Sequence, residues 1–208
     1  MGFGPLLVGY LFLLNPGVYD GLTNLLGYCF ILYGMLSLRV YNRGLRVAFI
    51  AALLLFIPGI PEFYLTARSF FGAAPLPDAW NSAFAVAKRL TQLFFTLSLF
   101  CGIESLGKET GLPEIRNAAV RNRFFSALYF LFAAALELPT YFPSATEFAV
   151  HAAIPVVVCG FAVVLLNSYT IFSCYRYICL PSDTLPDDLR GQNAKADPTV
   201  HDDGKRKK

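Results

Sequence analysis

The chain has 208 residues, of which 56% are hydrophobic and 15% charged, and its formal net charge is +3. A soluble domain carries about 25% charged and about 45–50% apolar residues, and a fold of this size cannot bury the excess seen here. No stretch interleaves basic and aromatic residues as a nucleic-acid surface would. The composition predicts an all-α, polytopic transmembrane helix bundle whose main partner is the lipid bilayer.

Six apolar runs follow one another along the chain, and in lipid each must form a helix because its backbone polar groups have to be paired internally. The runs comprise residues 3–14, 22–38, 45–57, 81–103, 124–142 and 149–172. The first is short for a bilayer core, which takes about 20 residues, so it forms either a thin span or a re-entrant half helix. We predict six spans within a bundle over residues 1–180.

Turn residues separate these runs. Pro58-Gly59-Ile60-Pro61 ends the third run and opens a longer connection, predicted over residues 59–80. Residues 104–123 form a polar, mostly basic connection in which Pro113 can begin a helix, because the missing N–H is not needed at that position. Residues 181–208 are polar and end in four basic residues, which predicts a disordered cytoplasmic tail.

The distribution of Lys and Arg sets the expected orientation. With six spans and both ends in the cytoplasm, the inner segments are residues 39–46, 104–123 and 173–208. They hold 14 of the 17 basic residues, as the positive-inside rule requires. The two short loops alone carry seven basic residues against three on the outer side.

Two stretches carry a resemblance. Residues 3–36, which contain GYLFLLNP followed by a GYCFILYG span, and residues 102–123, GIESLGKETGLPEIRNAAVRNR, resemble segments of small uncharacterised multi-pass membrane proteins of Gram-positive, Firmicutes-type bacteria. Residues 18–21 depart from the longer acidic linker expected in that family. The resemblance implies location in the bacterial plasma membrane and no particular activity.

Ionisable residues inside spans are candidates for function because each costs free energy in lipid. Glu137 in span five and Lys88-Arg89 in span four lie about 9 Å below the outer interface at about 1.5 Å per residue. The matching depths make an ion pair between Glu137 and either Arg89 or Lys88 geometrically possible, and the functional interpretation places it in a pocket open to the outside. Three further residues are candidates for its lining: Glu62, His151 and Asn167.

A structural interpretation competes with this pocket and is preferred to it. Lys88 and Arg89 would then extend their charged ends to the interface, Glu137 would cap or pair locally, and Glu62 would be solvated in an outer turn. Small residues four apart predict close helix contacts at two places, Ala48 with Ala52 and Ala83 with Ala87.

No catalytic or cofactor motif stands out. The five cysteines form no CxxC pair, and no HExxH or comparable set of zinc ligands is present. We therefore predict no catalytic residues, no metal site and no cofactor, and a membrane enzyme ranks last. The leading hypothesis is a component that binds or transports a small solute; the alternative is a non-catalytic structural or assembly protein. The protein partner and the solute stay open.

Overall fold

A computed structural model describes residues 2–13, 20–72, 78–136 and 146–179. These residues form seven α-helices and no strand. The helices are α1 (Phe3–Phe12), α2 (Asp20–Leu38), α3 (Arg43–Leu54), α4 (Phe56–Phe70), α5 (Asp78–Glu109), α6 (Pro113–Ala135) and α7 (Thr146–Cys174), and a π-helical turn, Tyr175–Cys179, continues α7. The predicted all-helical architecture is confirmed for this part of the chain; the tail, residues 181–208, lies outside it.

Within the described ranges, four helical segments are long and apolar enough to cross a membrane. They are Gly21–Leu38, Arg43–Phe70, Trp80–Glu109 and Ala149–Ile178. At 10 residues, α1 is shorter. With 23 residues α6 is long enough, but it carries Arg121 and Arg123 in its first half and is not among the four.

Helices α3 and α4 together form the second of these segments, and this corrects the predicted connection over residues 59–80. Residues 59–70 are helical, because the prolines only interrupt the hydrogen-bond pattern of the span. Leu55 ends α3 with a tightened bond from its N–H to the carbonyl of Ala52, 3.3 Å. Pro58 falls in the first turn of α4, where no N–H is required, and Pro61 is tolerated inside the helix, as prolines often are in spans.

Helices α5 and α6 form a hairpin, so the predicted connection over residues 104–123 is mostly helical. Pro113 is the first residue of α6, as its chemistry predicted. Gly111 adopts a φ of 69°, which is accessible to glycine at little cost. The N–H of Leu112 then bonds to the carbonyl of Gly107, 3.0 Å, and caps the end of α5.

The helices close into a ring around one apolar core. Helix α1 packs on α2, α2 on α3 and α4, and these on α5; α5 then packs on α6, α6 on α7, and α7 back on α1. The buried side chains of this core come from every helix except α4, which contributes the partly buried Phe56. Its fully buried members include Leu6, Ile31, Met35, Leu45, Leu99, Phe100, Ile103 and Ile171.

The first and the last described residues of the chain lie at the same end of the ring, which we call the basic end. A Cβ added to Gly4 would lie 3.9 Å from the Tyr175 ring, and Asn42 donates to the carbonyl of Gly102, 3.0 Å. Basic side chains concentrate in the segments at this end: Arg39, Arg43, Arg46, Lys108, Arg116 and Arg176. The opposite end holds the end of α4 and the beginnings of α5 and α7.

Glycines bring the backbones of α1 and α2 together. A Cβ on Gly9 would lie 2.7 Å from the carbonyl oxygen of Gly27, and one on Gly34 would lie 2.6 Å from that of Gly2. The two glycines on each helix are seven residues apart, so they face the partner at successive positions of a close antiparallel contact.

Of the two predicted close contacts between small residues, the one at Ala48 and Ala52 is confirmed and the one at Ala83 and Ala87 is wrong. Ala48 and Ala52 are fully buried in the ring, together with Ala51. Ala83 and Ala87 instead lie on the exposed side of α5, because Lys88, Gln92 and Thr96 occupy its inner face.

Candidate functional site: a polar stripe on α5

Three polar residues of α5 follow one another at intervals of four and so lie on one helix face. They are Lys88, Gln92 and Thr96, and each contacts a polar side chain of another helix. We call these three residues and their partners the polar stripe. Its three layers extend over about 12 Å, eight residues at about 1.5 Å each.

The layer nearest the opposite end, which we call the outer layer, is built around Glu62 of α4. The Lys88 ammonium forms an ion pair with the Oε1 atom of Glu62, and Asn24 of α2 donates to the same oxygen, 3.1 Å. The side chains of Lys88 and Glu62 are 19% and 22% exposed. The other carboxylate oxygen, Oε2, is buried and has no hydrogen-bond partner among the described residues.

The middle layer pairs Gln92 with Tyr28 of α2. The Gln92 Nε2 atom donates to the Tyr28 hydroxyl, 3.2 Å, while its Oε1 atom is buried and finds no partner in the described chain. Tyr28 is fully buried, and Gly59 leaves the space for its ring, because a Cβ there would lie 2.9 Å from the ring edge.

The layer nearest the basic end, which we call the inner layer, joins α5 to α1 across the bundle. The hydroxyls of Tyr10 and Thr96 lie 3.4 Å apart, and both residues are buried. Beyond this point the fully buried side chains of the same helix are apolar, and they include Leu99, Phe100 and Ile103. The stripe therefore runs from the outer half of α5 inward and ends against an apolar layer at the basic end.

The structure brings together two of the predicted pocket residues, Lys88 and Glu62, in a pairing the sequence did not predict. Glu62 is not solvated in an outer turn; it lies within α4 and is largely buried, because the helix continues through Pro61. Arg89 is half-buried beside the stripe and makes no ion pair with any described residue. Glu137 lies outside the described residues, and so does its predicted pairing.

The remaining two predicted residues lie on α7 and do not join the stripe. His151 is exposed. Asn167 is 2% exposed, and its amide donates to the Ser126 hydroxyl of α6, 3.1 Å. One turn away, Asn122 of α6 donates to the Leu166 carbonyl and to the Thr170 hydroxyl, both 2.9 Å. Asn167 thus helps to hold α6 against α7.

Replacing Asn122 with alanine should lower the free energy of unfolding by about 1–2 kcal/mol, because two hydrogen bonds between apolar helices are lost. The free energy is measured by titrating the detergent-solubilised protein with SDS. Asn117→Ala is the matched control, since Asn117 is exposed on the same helix. Equal effects of the two substitutions would contradict a role for Asn122 in helix packing.

Two further features lie away from the stripe. Glu104 pairs with Lys108, 2.7 Å, and with Arg123, 3.1 Å, toward the basic end. An apolar groove of about 520 Å³ runs between α6 and α7, lined by residues such as Tyr129, Pro155 and Cys159. In the described part of the chain, no three His, Cys, Asp or Glu side chains come together as metal ligands.

Sequence reasoning missed Tyr10, Tyr28, Gln92 and Thr96 as members of a site. The spacing of Lys88, Gln92 and Thr96 is visible in the sequence and could have indicated a polar helix face. Their partners lie 26 to 86 residues away along the chain, and no local pattern identifies them. Comparison of the chain with protein-family models, with curated proteins and with solved structures found no match.

Proposed function

We propose that this chain is a multi-pass protein of a bacterial plasma membrane that binds a small solute in the outer half of its helix bundle, as a solute-binding or transport component. The observation that carries the proposal is the polar stripe, which has a largely buried ion pair at its outer end and an apolar layer at its inner end. Such an arrangement suits a site that is entered from outside and closed toward the cytoplasm.

The charges of the stripe support function because they are costly in lipid. Lys88 lies eight residues from Trp80 and Glu62 eight residues from Phe70, so both lie about 12 Å below aromatic residues near the opposite end. A charge near a span centre costs about 2.5–3.5 kcal/mol on insertion scales. Intramembrane charges that are kept at this cost commonly serve a substrate or ion path.

The proposal includes six spans with both ends in the cytoplasm. In addition to the four long apolar segments, α1 and α6 occupy places in the same ring. Four points of the chain lie at the same end of the bundle: Gly2, the turn after Leu38, the turn before Pro113, and Tyr175. A chain that starts and finishes at one end crosses an even number of times. That end is also the basic one, which the positive-inside rule assigns to the cytoplasm.

Reporter fusions test this topology. We expect fusions after residues 42 and 110 to report the cytoplasm and a fusion after residue 70 to report the outside. An outside signal at 42 or 110 would overturn the six-span arrangement.

Solute binding is tested by a thermal-stability screen of the purified protein against small polar solutes. We expect at least one solute to raise the melting temperature, and Glu62→Gln to weaken its binding about tenfold or more, equivalent to about 1.4 kcal/mol. Glu104→Gln is the matched control, because Glu104 is an ion-paired carboxylate at the basic end. Solutes that stabilise the wild type and Glu62→Gln equally would refute a site at the stripe.

A structural or assembly role is the second candidate. The packing of α7 favours this role. Helix α7 packs mainly on α1 and α6, and the apolar groove beside it stays open. This role predicts that Glu62→Gln leaves every cellular phenotype unchanged, while substitutions in the groove do not.

A further inference from the structure

We infer that the outer end of the polar stripe is a site for a small monovalent cation, which Glu62 binds in exchange for Lys88. The inference rests on the proposed function and specifies the chemical class of ligand. It covers inorganic cations and protonated amines alike, since both supply a positive charge to buried oxygen atoms.

The unpartnered atoms of the stripe are oxygen acceptors. Glu62 Oε2 is buried without a partner in the described chain, and an ionised carboxylate can only accept hydrogen bonds. One turn inward, Gln92 is 8% exposed, and its Oε1 atom is likewise unpartnered. Leaving a buried acceptor unsatisfied is costly, whereas a metal cation or an N–H group of an ammonium would satisfy an acceptor of this kind.

The two acceptors belong to one polar region. Gln92 lies four residues from Lys88, and its amide contacts the Tyr28 hydroxyl. Tyr28 in turn lies four residues from Asn24, which holds the Oε1 atom of Glu62. The unpartnered oxygen atoms of Glu62 on α4 and Gln92 on α5 therefore lie in one polar region of the bundle interior.

Charge balance explains the exchange with Lys88. A second cation beside Lys88 and Arg89 would leave an excess of positive charge in a medium of low dielectric constant, where like charges repel strongly. Lys88 can leave because its side chain is 19% exposed, carries a flexible stem and lies in the half of α5 nearer the opposite end. Asn24 would keep the Glu62 carboxylate in place while the ammonium is away.

The test measures melting temperature against cation concentration in purified protein, with N-methyl-D-glucamine chloride keeping the ionic strength constant. Separate titrations use Na⁺, K⁺, ammonium and methylammonium, and they distinguish an inorganic ion from an amine. A ligand that binds only the folded state raises its stability according to the ratio of concentration to Kd. The apparent Kd is obtained for each cation and each variant.

We expect at least one cation to stabilise the wild type and Glu62→Gln to abolish that response. Lys88→Met should bind the same cation about tenfold more tightly, which is the gain expected when a competing ammonium leaves the carboxylate free in about one molecule in ten. Lys108→Met is the matched control and should leave the Kd unchanged, since Lys108 pairs with Glu104 at the basic end.

Several results would overturn the inference. They are a cation response that persists in Glu62→Gln, no response of the wild type to any cation, and an unchanged Kd in Lys88→Met. A response to pH alone would also do so, because it would assign Glu62 to a proton. If Lys88→Met does not fold, Lys88→Gln replaces it. If no solute in the earlier screen depends on Glu62 for binding, the proposed function is refuted. If a solute does depend on Glu62 but no cation stabilises the protein, only the cation site is refuted.

Discussion

Replacing Lys88 with methionine is expected to lower the free energy of unfolding by about 2–3 kcal/mol. The substitution keeps an unbranched side chain, one atom shorter, but leaves Glu62 as a largely buried charge with only Asn24 as its partner. Most of the loss is the penalty of the unpaired carboxylate and not the worth of the ion pair itself. SDS titration of the protein in detergent gives the free energy.

A double-mutant cycle separates that penalty from general damage. Adding Glu62→Leu to Lys88→Met should recover a large part of the stability, because both charges are then gone. Lys108→Met should cost at most about 1 kcal/mol, since surface ion pairs contribute little and the Lys108 side chain is 53% exposed. Additive losses in the double variant would show that Lys88 and Glu62 are not coupled.

Gly9→Ala is expected to lower the free energy of unfolding by about 1–3 kcal/mol through overpacking. The added Cβ would lie 2.6 Å from Ile31 Cγ1 and 2.7 Å from the Gly27 carbonyl oxygen. Because the carbonyl is backbone, relief requires α1 to move away from α2. That movement would also displace Tyr10 from Thr96, so the innermost layer of the stripe should loosen.

Gly4→Ala is the control, because it makes the same substitution on the same helix. Its Cβ would meet only the Tyr175 ring, at 3.9 Å, and alanine is favoured over glycine in a helix by about 1 kcal/mol. We expect unchanged or increased stability. A loss as large as that of Gly9→Ala would show that helix α1 responds to any added methyl group and not to the close contact with α2.

Apolar periodicity and length predicted most helices, since a run of apolar residues in lipid has no other way to pair its backbone. The prediction over residues 59–70 was wrong because proline rules derived from soluble helices overstate the effect of Pro58 and Pro61 inside a span. The glycine contact between α1 and α2 went unnoticed for a different reason: seven-residue spacing on each helix becomes meaningful only once the two are known to be antiparallel neighbours.

For the site, the sequence singled out Lys88 and Arg89 as charges that needed an explanation and placed Glu62 in an outer turn. It offered Glu137 as their partner on grounds of depth alone. Depth along a helix follows from residue counting, whereas the direction of a side chain around the ring depends on which helices are adjacent. Lys88 contacts Glu62 because α4 lies beside both α2 and α5.

What the sequence by itself determined is that this chain is helical, apolar along its length and basic in particular segments, because each of these properties is local or a simple sum over residues. Only the tertiary structure decided which charges meet, which glycines let helices approach and which oxygen atoms stay unpartnered. Those properties depend on contacts between residues far apart in the chain, which backbone preference and hydropathy do not encode.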